Sequence, residues 1–409
     1  MTVPKLRFRA EDGSEFSEWE EKRLGEVCSS LSYGINAPAK KYDGENKYIR
    51  ITDIDEITHE YLNADVVSPD GKLEEKFVVK ENDILFARTG ASTGKTYLYN
   101  KKDGKLYYAG FLICAHIKSE HDSRFVFYQT LTQKYFSWVK KTSSRSGQPG
   151  INSKEYSAFS FFLPSLQEQQ KIADFLSTID SIISSQKEEL AAWEQRKKGI
   201  MQKLFSQEVR FKADDGSEFP AWEKKRLKEV AEIQRGGSPR PIEKYLTTKS
   251  GINWIKIGDA PVNGNRITSV KEKIIPEGLK KSRAVHKGDL LLSNSMSFGR
   301  PYILEVDGCI HDGWLVIQDN NICFNKTFLC EYLGADIVVK QYKKMAAGST
   351  VNNLNKDLVG NVLVIIPSLP EQQKIADCLF SIDEVIQKEK EELEKWQELK
   401  KGLLQQMFV

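Results

Sequence analysis

The chain has 409 residues, enough for two or three domains with their own cores, and its net charge of +3 excludes the bulk basicity of a histone-like protein. No apolar run approaches the ~18 residues of a membrane span, and the N-terminus is charged from Lys5 onward, so we expect a cytoplasmic protein without membrane contact. The six cysteines form no C-x-x-C pair, which favours reduced thiols over a disulfide framework.

The chain repeats itself over a long interval. "RFRAEDGSEFSEWEEKRLGEV" at 7–27 returns as "RFKADDGSEFPAWEKKRLKEV" at 210–230, which is 203 residues later. "LPSLQEQQKIADFLSTID" at 163–180 returns at the same interval as "IPSLPEQQKIADCLFSID" at 366–383. The sequence therefore predicts two copies of one unit rather than a solenoid of short repeats.

A Gly-rich stretch in the first copy, "FARTGASTGKTY" at 86–97, has the composition of a nucleotide-binding phosphate loop. Such a loop needs four residues between its first glycine and its Gly-Lys pair, and only three separate Gly90 from Gly94. The aromatic residues after it favour a strand over a helix. In the second copy, "SNSMSFGRPY" at 293–302 replaces the lysine by arginine. We therefore predict a strand–loop–strand element that offers one basic group.

The fold class expected is α+β with a pseudo-two-fold internal duplication. Short β-rich runs alternate with Gly, Ser, Asn and Pro loops in both copies. We expect an N-terminal segment and a first globular domain over 1–162, a first long helix over 163–206, a second domain over 207–365 and a second long helix over 366–409.

Both long helices carry the same sequence signals. Ser165 to Glu168 and Ser368 to Glu371 are typical of capping boxes, and apolar residues then recur at a heptad spacing. Two matching seams in one chain favour an antiparallel coiled coil between the two helices. The residues predicted to pair are Ile172, Ile179, Trp193, Ile200, Ile375, Ile382, Trp396 and Leu403.

Polar loops with isolated basic residues recur at matched places in the two copies. Lys and Arg can contact phosphates, whereas the amides of Gln148, Asn152, Asn352, Asn353 and Asn355 can pair with adenine in the major groove. Any single member is typical of a solvated loop, so the prediction depends on the recurring set. In the first copy the set is Lys40, Lys41, Arg50, Arg88, Thr89, Ser92, Lys95, Lys141, Arg145, Gln148, Asn152 and Lys154. In the second copy it is Arg235, Arg240, Lys256, Asn294, Ser297, Arg300, Lys343, Lys344, Thr350, Asn352, Asn353 and Asn355.

Catalytic and metal motifs are not found in this sequence. Cys309, His311 and Asp312 are possible metal ligands, but the five histidines show no repeated spacing, so we predict no metal site. The chain also lacks the Asn-Pro-Pro or Asp-Pro-Pro run of a methyltransferase active site. We predict a chain without catalytic residues.

The whole layout resembles the specificity subunit of type I restriction–modification enzymes. The resemblance rests on two variable blocks, each opened by "W-E-x-K-R-L-x-E-V" and closed by "P-S-L-x-E-Q-Q-K-I-A-D" before a long helix, and it covers nearly the entire chain. It implies two target recognition domains, each of which reads half of a split sequence in double-stranded DNA. The strong divergence of 31–150 from 231–352 then implies two different half-sites.

The resemblance also implies partners. The paired helices would dock two modification (methyltransferase) subunits, which bring S-adenosylmethionine, and restriction subunits would bring ATP and Mg²⁺ for translocation and cleavage. This chain itself would carry no cofactor. Two other functions remain open from the residues alone: an ATP-binding enzyme that uses the loop at 90–96, and a coiled-coil scaffold whose globular ends bind protein.

Overall fold

The structure is a computed structural model that describes residues 4–144, 148–262, 264–294, 299–319, 323–346 and 354–408. The chain divides into two compact units. The first comprises Met1–Lys187 with Glu392–Val409, and the second comprises Glu188–Glu391.

The first unit is built around an antiparallel four-stranded sheet in the order β2-β9-β6-β7. Smaller two-stranded sheets pair β1 with β10, β3 with β5 and, in parallel, β4 with β8. Its strands are β1 (Glu20–Arg23), β2 (Cys28–Tyr33), β3 (Ala39–Lys41), β4 (Lys47–Ile49), β5 (Val67–Pro69), β6 (Asp83–Ala87), β7 (Thr96–Leu98), β8 (Leu106–Tyr108), β9 (Leu112–Ile117) and β10 (Ser160–Leu163). Its helices are α1 (Leu24–Val27), α2 (Ser123–Gln129), α3 (Gln133–Ser143), α4 (Ser153–Ser157) and the start of α5 (Leu166–Phe205).

The second unit contains two five-stranded sheets, in the orders β12-β21-β18-β19-β15 and β13-β16-β14-β20-β17, and a β11–β22 pair. Its strands are β11 (Glu223–Arg226), β12 (Glu232–Arg235), β13 (Leu246–Thr247), β14 (Ile252–Ile255), β15 (Arg266–Ile267), β16 (Lys273–Ile274), β17 (Arg283–Val285), β18 (Leu290–Ser293), β19 (Pro301–Leu304), β20 (Gly308–Ile310), β21 (Trp314–Gln318) and β22 (Leu363–Ile366). Its helices are α6 (Leu227–Val230), α7 (Pro276–Leu279), α8 (Lys326–Gly334), α9 (Asp336–Ala346), α10 (Lys356–Gly360) and most of α11 (Leu369–Met407).

The central strand of each unit is buried on both faces. In β6, Ile84 and Phe86 belong to the core that includes α5, whereas Leu85 and Ala87 belong to a second core on the opposite face. Successive side chains of a strand point to opposite faces, so a continuous apolar run suits a sheet covered on both sides. β18 repeats this arrangement in the second unit.

The Gly-rich stretch forms the predicted strand–loop–strand element, with β6 before it and β7 directly after it. Gly94 has a φ of +93°, and a Cβ there would lie 2.6 Å from Val139 of α3. Gly299 in the second unit has a φ of +73°, and its Cβ would lie 2.8 Å from Tyr342 of α9. Each glycine therefore lets the loop pack against a helix of its own unit.

In the first unit, the beginning of α5 packs against the end of α11. Ile172 and Ile179 are buried in the same core that receives Leu403 and Met407, with Trp396 packed against its edge. These contacts include four of the eight predicted seam residues.

In the second unit, the end of α5 packs against the beginning of α11. Ile200 lies against the core that contains Ile375, and Ile382 is also buried. Trp193 is half-buried, with the guanidinium of Arg196 4.8 Å from its ring centroid. The order of contacts in the two units is that of an antiparallel helix pair, as the seams predict.

A buried carboxylate marks the start of each long helix. Glu168 has no exposed side-chain surface, and it accepts hydrogen bonds from Arg7 at 2.8 and 2.9 Å and from the indole of Trp19 at 3.2 Å. The hydrogen bond to Glu168 raises the pKa of Arg7. We call this contact the carboxylate hub of the first unit.

The second unit has the same hub, shifted by the repeat interval. Glu371 is fully buried and accepts from Arg210 at 3.0 and 2.8 Å and from Trp222 at 2.7 Å. The repeated motif therefore joins the segment that opens each unit to the helix that closes it.

The glutamine after each hub glutamate holds a second helix. Gln169 accepts from the backbone N–H of Asp122 at 3.0 Å, and Gln372 accepts from that of Asn325 at 2.8 Å. Asp122 and Asn325 cap α2 and α8 with their own side chains. One helical turn of α5 or α11 thus fixes both the opening segment and the first helix after the sheet.

The capping boxes are predicted wrongly for their glutamates. The carboxylates of Glu168 and Glu371 accept from the arginine and the indole of their hubs instead of from the backbone N–H of the serine three residues earlier. Ser165 still accepts from the backbone N–H of Glu168, at 3.4 Å. The hydroxyl of Ser368 is buried and has no hydrogen-bond partner among the described residues. Within the same residues, no helix is long and apolar enough to cross a membrane.

Substitution of Arg7 by Ala should destabilise the first unit, because it leaves the buried carboxylate of Glu168 without its charged partner. Breaking a buried pair on one side costs about 3–5 kcal/mol. Hydrogen exchange should show lower protection in the first turns of α5 and unchanged protection in those of α11.

The matched variant Arg210→Ala should reverse this pattern, and Lys22→Ala, at an exposed ion pair, should change neither helix. The double variant R7M/E168L should regain most of the lost protection, since it removes both charges together. Equal protection of α5 in Arg7→Ala and the unmodified chain would contradict the structural role of the hub.

Candidate nucleic-acid interface

In each unit, a helix at the same position in the repeat has exposed lysines in its last turn. Helix α3 buries Tyr135 and Val139, four residues apart, and this leaves Lys141 exposed in its last turn. Helix α9 likewise buries Tyr342 and exposes Lys344. These two lysines are matched by the repeat, and each can reach a phosphate without breaking a hydrogen bond or ion pair to the described residues.

The asparagines predicted to read bases cap the next helix. Asn152 accepts from the backbone N–H of Glu155 at 3.0 Å, and Asn355 accepts from that of Leu358 at 2.8 Å. Their carbonyl oxygens are therefore used as N-caps of α4 and α10. The cap uses one of the two lone pairs of each oxygen, so it constrains the direction of the amide without excluding a contact to adenine. Base reading by these residues stays a prediction.

The glycine-rich loop of the first unit is held by its neighbours. The guanidinium of Arg88 lies 4.9 Å from the ring centroid of Tyr33 and donates to the carbonyl of Gly110 at 3.2 Å. The Tyr33 hydroxyl accepts from the backbone N–H of Ser153, and hydrogen bonds with the side chain and the backbone of Ser153 lower the pKa of Tyr33. Arg88 is thus tied to the helix that Asn152 caps.

Thr89, Ser92 and Gln148 lie around the same loop. Thr89 forms an isolated β-bridge with Gly150, and the backbone carbonyl of Ser92 accepts from Lys95. Gln148 is exposed beside the loop. These contacts bring the Gly-rich loop together with the segment that precedes α4.

The basic residue of each strand–loop–strand element donates to backbone carbonyls of its own unit. The side chain of Lys95 is 10% exposed and its Nζ donates to the carbonyl of Ile54 at 3.0 Å. Arg300 donates to the carbonyls of Val262 and Gly264 at 2.9 and 2.8 Å. The geometry gives both cations a structural contact, and a phosphate contact for either stays a prediction.

Three further predicted residues also have internal partners. Arg50 forms an ion pair with Asp53 at 2.7 Å, and this hydrogen bond raises the pKa of Arg50. Lys256 pairs with Glu272. Asn294 is buried and donates from its amide to a backbone carbonyl at 2.9 Å.

The other predicted cations are exposed, and some predicted residues lie outside the described part of the chain. Lys140 is also exposed but is not among the predicted residues. It lies one repeat interval before Lys343, so the repeat could have indicated it. The exposed predicted cations are Lys40, Lys41, Lys141, Lys154, Arg235, Arg240, Lys343 and Lys344. The residues outside the described ranges are Arg145, Ser297, Thr350, Asn352 and Asn353.

Among the described residues, no group of three or more His, Cys, Asp or Glu side chains is placed to hold a metal ion. Among the suspected ligands, Cys309 is buried and free, and burial raises its pKa. His311 uses its Nδ1 to accept from the backbone N–H of Gly313 at 2.9 Å.

The repeated domains match a known family. The family model for the type I restriction modification DNA specificity domain matches residues 16–195 and 221–395. The chain therefore belongs to the family of type I restriction–modification DNA specificity domains, and it contains two of them. It is a DNA-recognition specificity subunit, and this family is not catalytic.

Two named relatives are similar to this chain over about nine-tenths of both sequences. The specificity subunit of the type I restriction enzyme MjaVIII from Methanocaldococcus jannaschii is 28% identical over 92% of this chain and 90% of its own length. The putative MjaX specificity subunit of the same organism is 26% identical over 95% of this chain and 92% of its own length.

Two solved structures share the fold. The S subunit of a type I restriction–modification system from M. genitalium has a TM-score of 0.59 at 15% identity and covers 100% of this chain and 99% of its own. A chain from a study of complex assembly and conformational transition in the type I system has a TM-score of 0.55 at 19% identity, with 94% and 96% covered.

The exposed and the internal cations should respond differently to substitution. Lys141→Met should reduce the slope of log affinity against log salt concentration by about one, as a lost phosphate contact does. Lys95→Met should lower the thermal stability of the first unit, since the carbonyl of Ile54 loses its donor, and should leave the salt slope unchanged. Duplex binding at several salt concentrations and thermal denaturation measure the two effects.

Lys344→Met is the matched variant in the second unit and should behave as Lys141→Met does. A reduced salt slope for Lys95→Met, with unchanged stability, would show that Lys95 contacts DNA after all.

Proposed function

We propose that this subunit reads a bipartite duplex DNA target, with one half-site for each unit, and that α5 and α11 act as the spacer between the two readers. The observation that carries the proposal is the contrast between a duplicated framework and diverged loops. The carboxylate hubs, the glutamine contacts and the helix caps recur at one interval, whereas residues 31–150 and 231–352 differ strongly.

Matched frameworks favour two readers that approach DNA in equivalent ways. A pseudo-two-fold protein suits a duplex, whose backbone also has two-fold symmetry. Diverged loops then present different side chains to the two half-sites, so the two half-sites should differ in sequence.

Within each unit, exposed lysines at the end of α3 or α9 are the best candidates for phosphate contacts. They lie close in sequence to the Asn-capped helix of the same unit. Phosphate contacts of this kind fix register and orientation, and base edges supply specificity. We propose that the loops between α3 and α4 and between α9 and α10 supply the base contacts.

The same proposal includes the partners. Two methyltransferase subunits would dock on the paired helices and bring S-adenosylmethionine, and restriction subunits would bring ATP and Mg²⁺. The duplicated helix contacts support two equivalent docking sites, one for each methyltransferase.

Exchange of residues 31–150 for the corresponding block of another specificity subunit should change one half-site and leave the other intact. The physical reason is that the second unit forms its own cores and its own hub. The measurement is sequencing of the methylated motif produced by the reconstituted complex. A change in both half-sites would contradict separate readers.

Insertion of four residues after Gln186 should lengthen the preferred gap between half-sites by one or two base pairs. Four helical residues add about 6 Å and rotate the remainder of α5 by roughly 40°, and DNA rises about 3.4 Å per base pair. Methylation of targets with varied gaps measures the preference. The half-sites themselves should stay the same.

A one-residue insertion at the same place is the control. It turns the seam by about 100°, so it should disturb the helix pair more than four residues do. An active four-residue variant with an unchanged gap preference would show that these helices do not set the spacing.

A further inference from the structure

The turn between β8 and β9 of the first unit carries an exposed phenylalanine. Phe111 is 60% exposed, the largest exposed fraction of any phenylalanine among the described residues. A phenyl ring in water costs free energy that contact with another apolar group recovers. Single exposed apolar residues are common on protein surfaces, so the surroundings of Phe111 decide what this one does.

Backbone hydrogen bonds hold the turn on both sides of the ring. The N–H of Gly110 donates to the carbonyl of Ile35 at 2.7 Å, and the N–H of Arg88 donates to the carbonyl of Phe111 at 3.0 Å. The strands that the turn joins are buried. The backbone of Phe111 is therefore fixed before any ligand arrives, which lowers the entropic cost of a contact through its ring.

The same turn lies against the loops that are proposed to read bases. Arg88, whose N–H holds Phe111, is also the start of the Gly-rich loop, and its carbonyl accepts from the N–H of Ile151 at 2.9 Å. Ile151 directly precedes Asn152, the cap of α4, and Gln148 is exposed three residues earlier. Two hydrogen bonds of one residue thus connect the turn of Phe111 to the segment between α3 and α4.

The second unit has the same turn without the ring. The N–H of Asn294 donates to the carbonyl of Gly313 at 3.0 Å, as that of Arg88 does to Phe111, so Gly313 occupies the position of Phe111. A Cβ at Gly313 would lie 3.0 Å from the side chain of Ile257, so a side chain there would require a shift of its neighbour. Of the two matched turns, that of the first unit alone presents an apolar side chain.

The chemistry of the duplex limits what such a ring can contact. In an intact duplex the faces of the bases are stacked on each other, and side chains meet the base edges in the grooves. The apolar group that these edges present in the major groove is the C5-methyl group of thymine, and phenylalanine is among the side chains that contact it. The same groove presents the adenine atoms to which the amides of Gln148 and Asn152 are predicted to bind.

We infer that Phe111 is a specificity-determining residue that packs on the C5-methyl group of a thymine in the half-site of the first unit. The inference rests on the proposed DNA-reading function, and it adds the base that this residue reads. Because Gly313 stands at the matched position, the contact belongs to the first half-site and has no counterpart in the second.

Replacement of thymine by uracil tests the inference, since uracil lacks only the C5-methyl group. The first half-site is the one that changes when residues 31–150 are exchanged. In the complex with methyltransferase subunits, uracil at one thymine of this half-site should lower duplex affinity about fourfold, the value for burial of one CH₂-sized group. Phe111→Ala should lower affinity for the thymine duplex at least as much, and uracil should then cost nothing more. Loss of the uracil effect together with the ring shows that the two groups interact directly.

The chain and the target offer matched controls. Uracil in the second half-site should cost the same in the unmodified protein and in Phe111→Ala, because Gly313 has no side chain. Ile57→Ala removes an 82% exposed apolar residue of the same unit and should leave the uracil effect unchanged. Phe111→Leu should keep part of the effect, since it keeps an apolar group. Thermal denaturation shows whether each variant is folded.

Three results would overturn the thymine contact and leave the DNA-reading function intact. The first is a half-site of the first unit that specifies no thymine on either strand. The second is an equal uracil effect in the unmodified protein and in Phe111→Ala at every thymine of that half-site. The third is a rise in the fluorescence of an adenine analogue in the half-site with the unmodified protein but not with Phe111→Ala, since the ring would then insert between stacked bases. Failure of the unmodified complex to bind any duplex removes the proposed function as well.

Discussion

Each unit depends on one buried carboxylate that two distant segments share. Glu168 and Glu371 have no exposed side-chain surface, so each must find donors within its own unit. An arginine and an indole from the opening segment supply them, at distances of 2.7–3.2 Å. The charge therefore fixes where the opening segment lies relative to the long helix, and the sheet and the small helices fill the space between them.

This arrangement separates the framework from the proposed recognition surface. The hub carboxylates and the glutamines beside them are buried, whereas Lys141 of α3 and Lys344 of α9 are exposed. A change in the loops does not touch the hub. Distant and unconnected sites contribute additively to stability, so the surface can diverge while the framework is kept. The two units of this chain illustrate that outcome within one molecule.

Much of the architecture could be predicted because its signals are local in sequence or repeated. The spacing from Gly90 to Gly94 argued against a phosphate loop, and the heptads of the long helices indicated their pairing. The role of Glu168 could not be predicted, since its partner Arg7 lies 161 residues away and nothing in the spacing links them. The capping box is a local alternative for the same residue, and a buried arginine contact prevailed over it.

Side-chain direction was the second property that could not be predicted from the sequence. Lys95 and Arg300 occupy matched positions in polar loops, and such positions are typical of phosphate contacts. Lys95 is largely buried and Arg300 is not, yet both donate to backbone carbonyls of neighbouring loops. A sequence records that a cation is present but not which way it points.

The first unit is built from two separate segments of the chain, and this affects how the protein folds during synthesis. The second unit, Glu188–Glu391, is continuous, so all of its contacts become available as soon as that segment has been made. The first unit needs Leu403 and Met407 to complete the core around Ile172 and Ile179. The apolar face formed by Ile172 and Ile179 therefore lacks these contacts until the whole second unit has been translated. Folding of the chain is therefore not a simple N-to-C sequence of domains, and the first unit to emerge is the last to close.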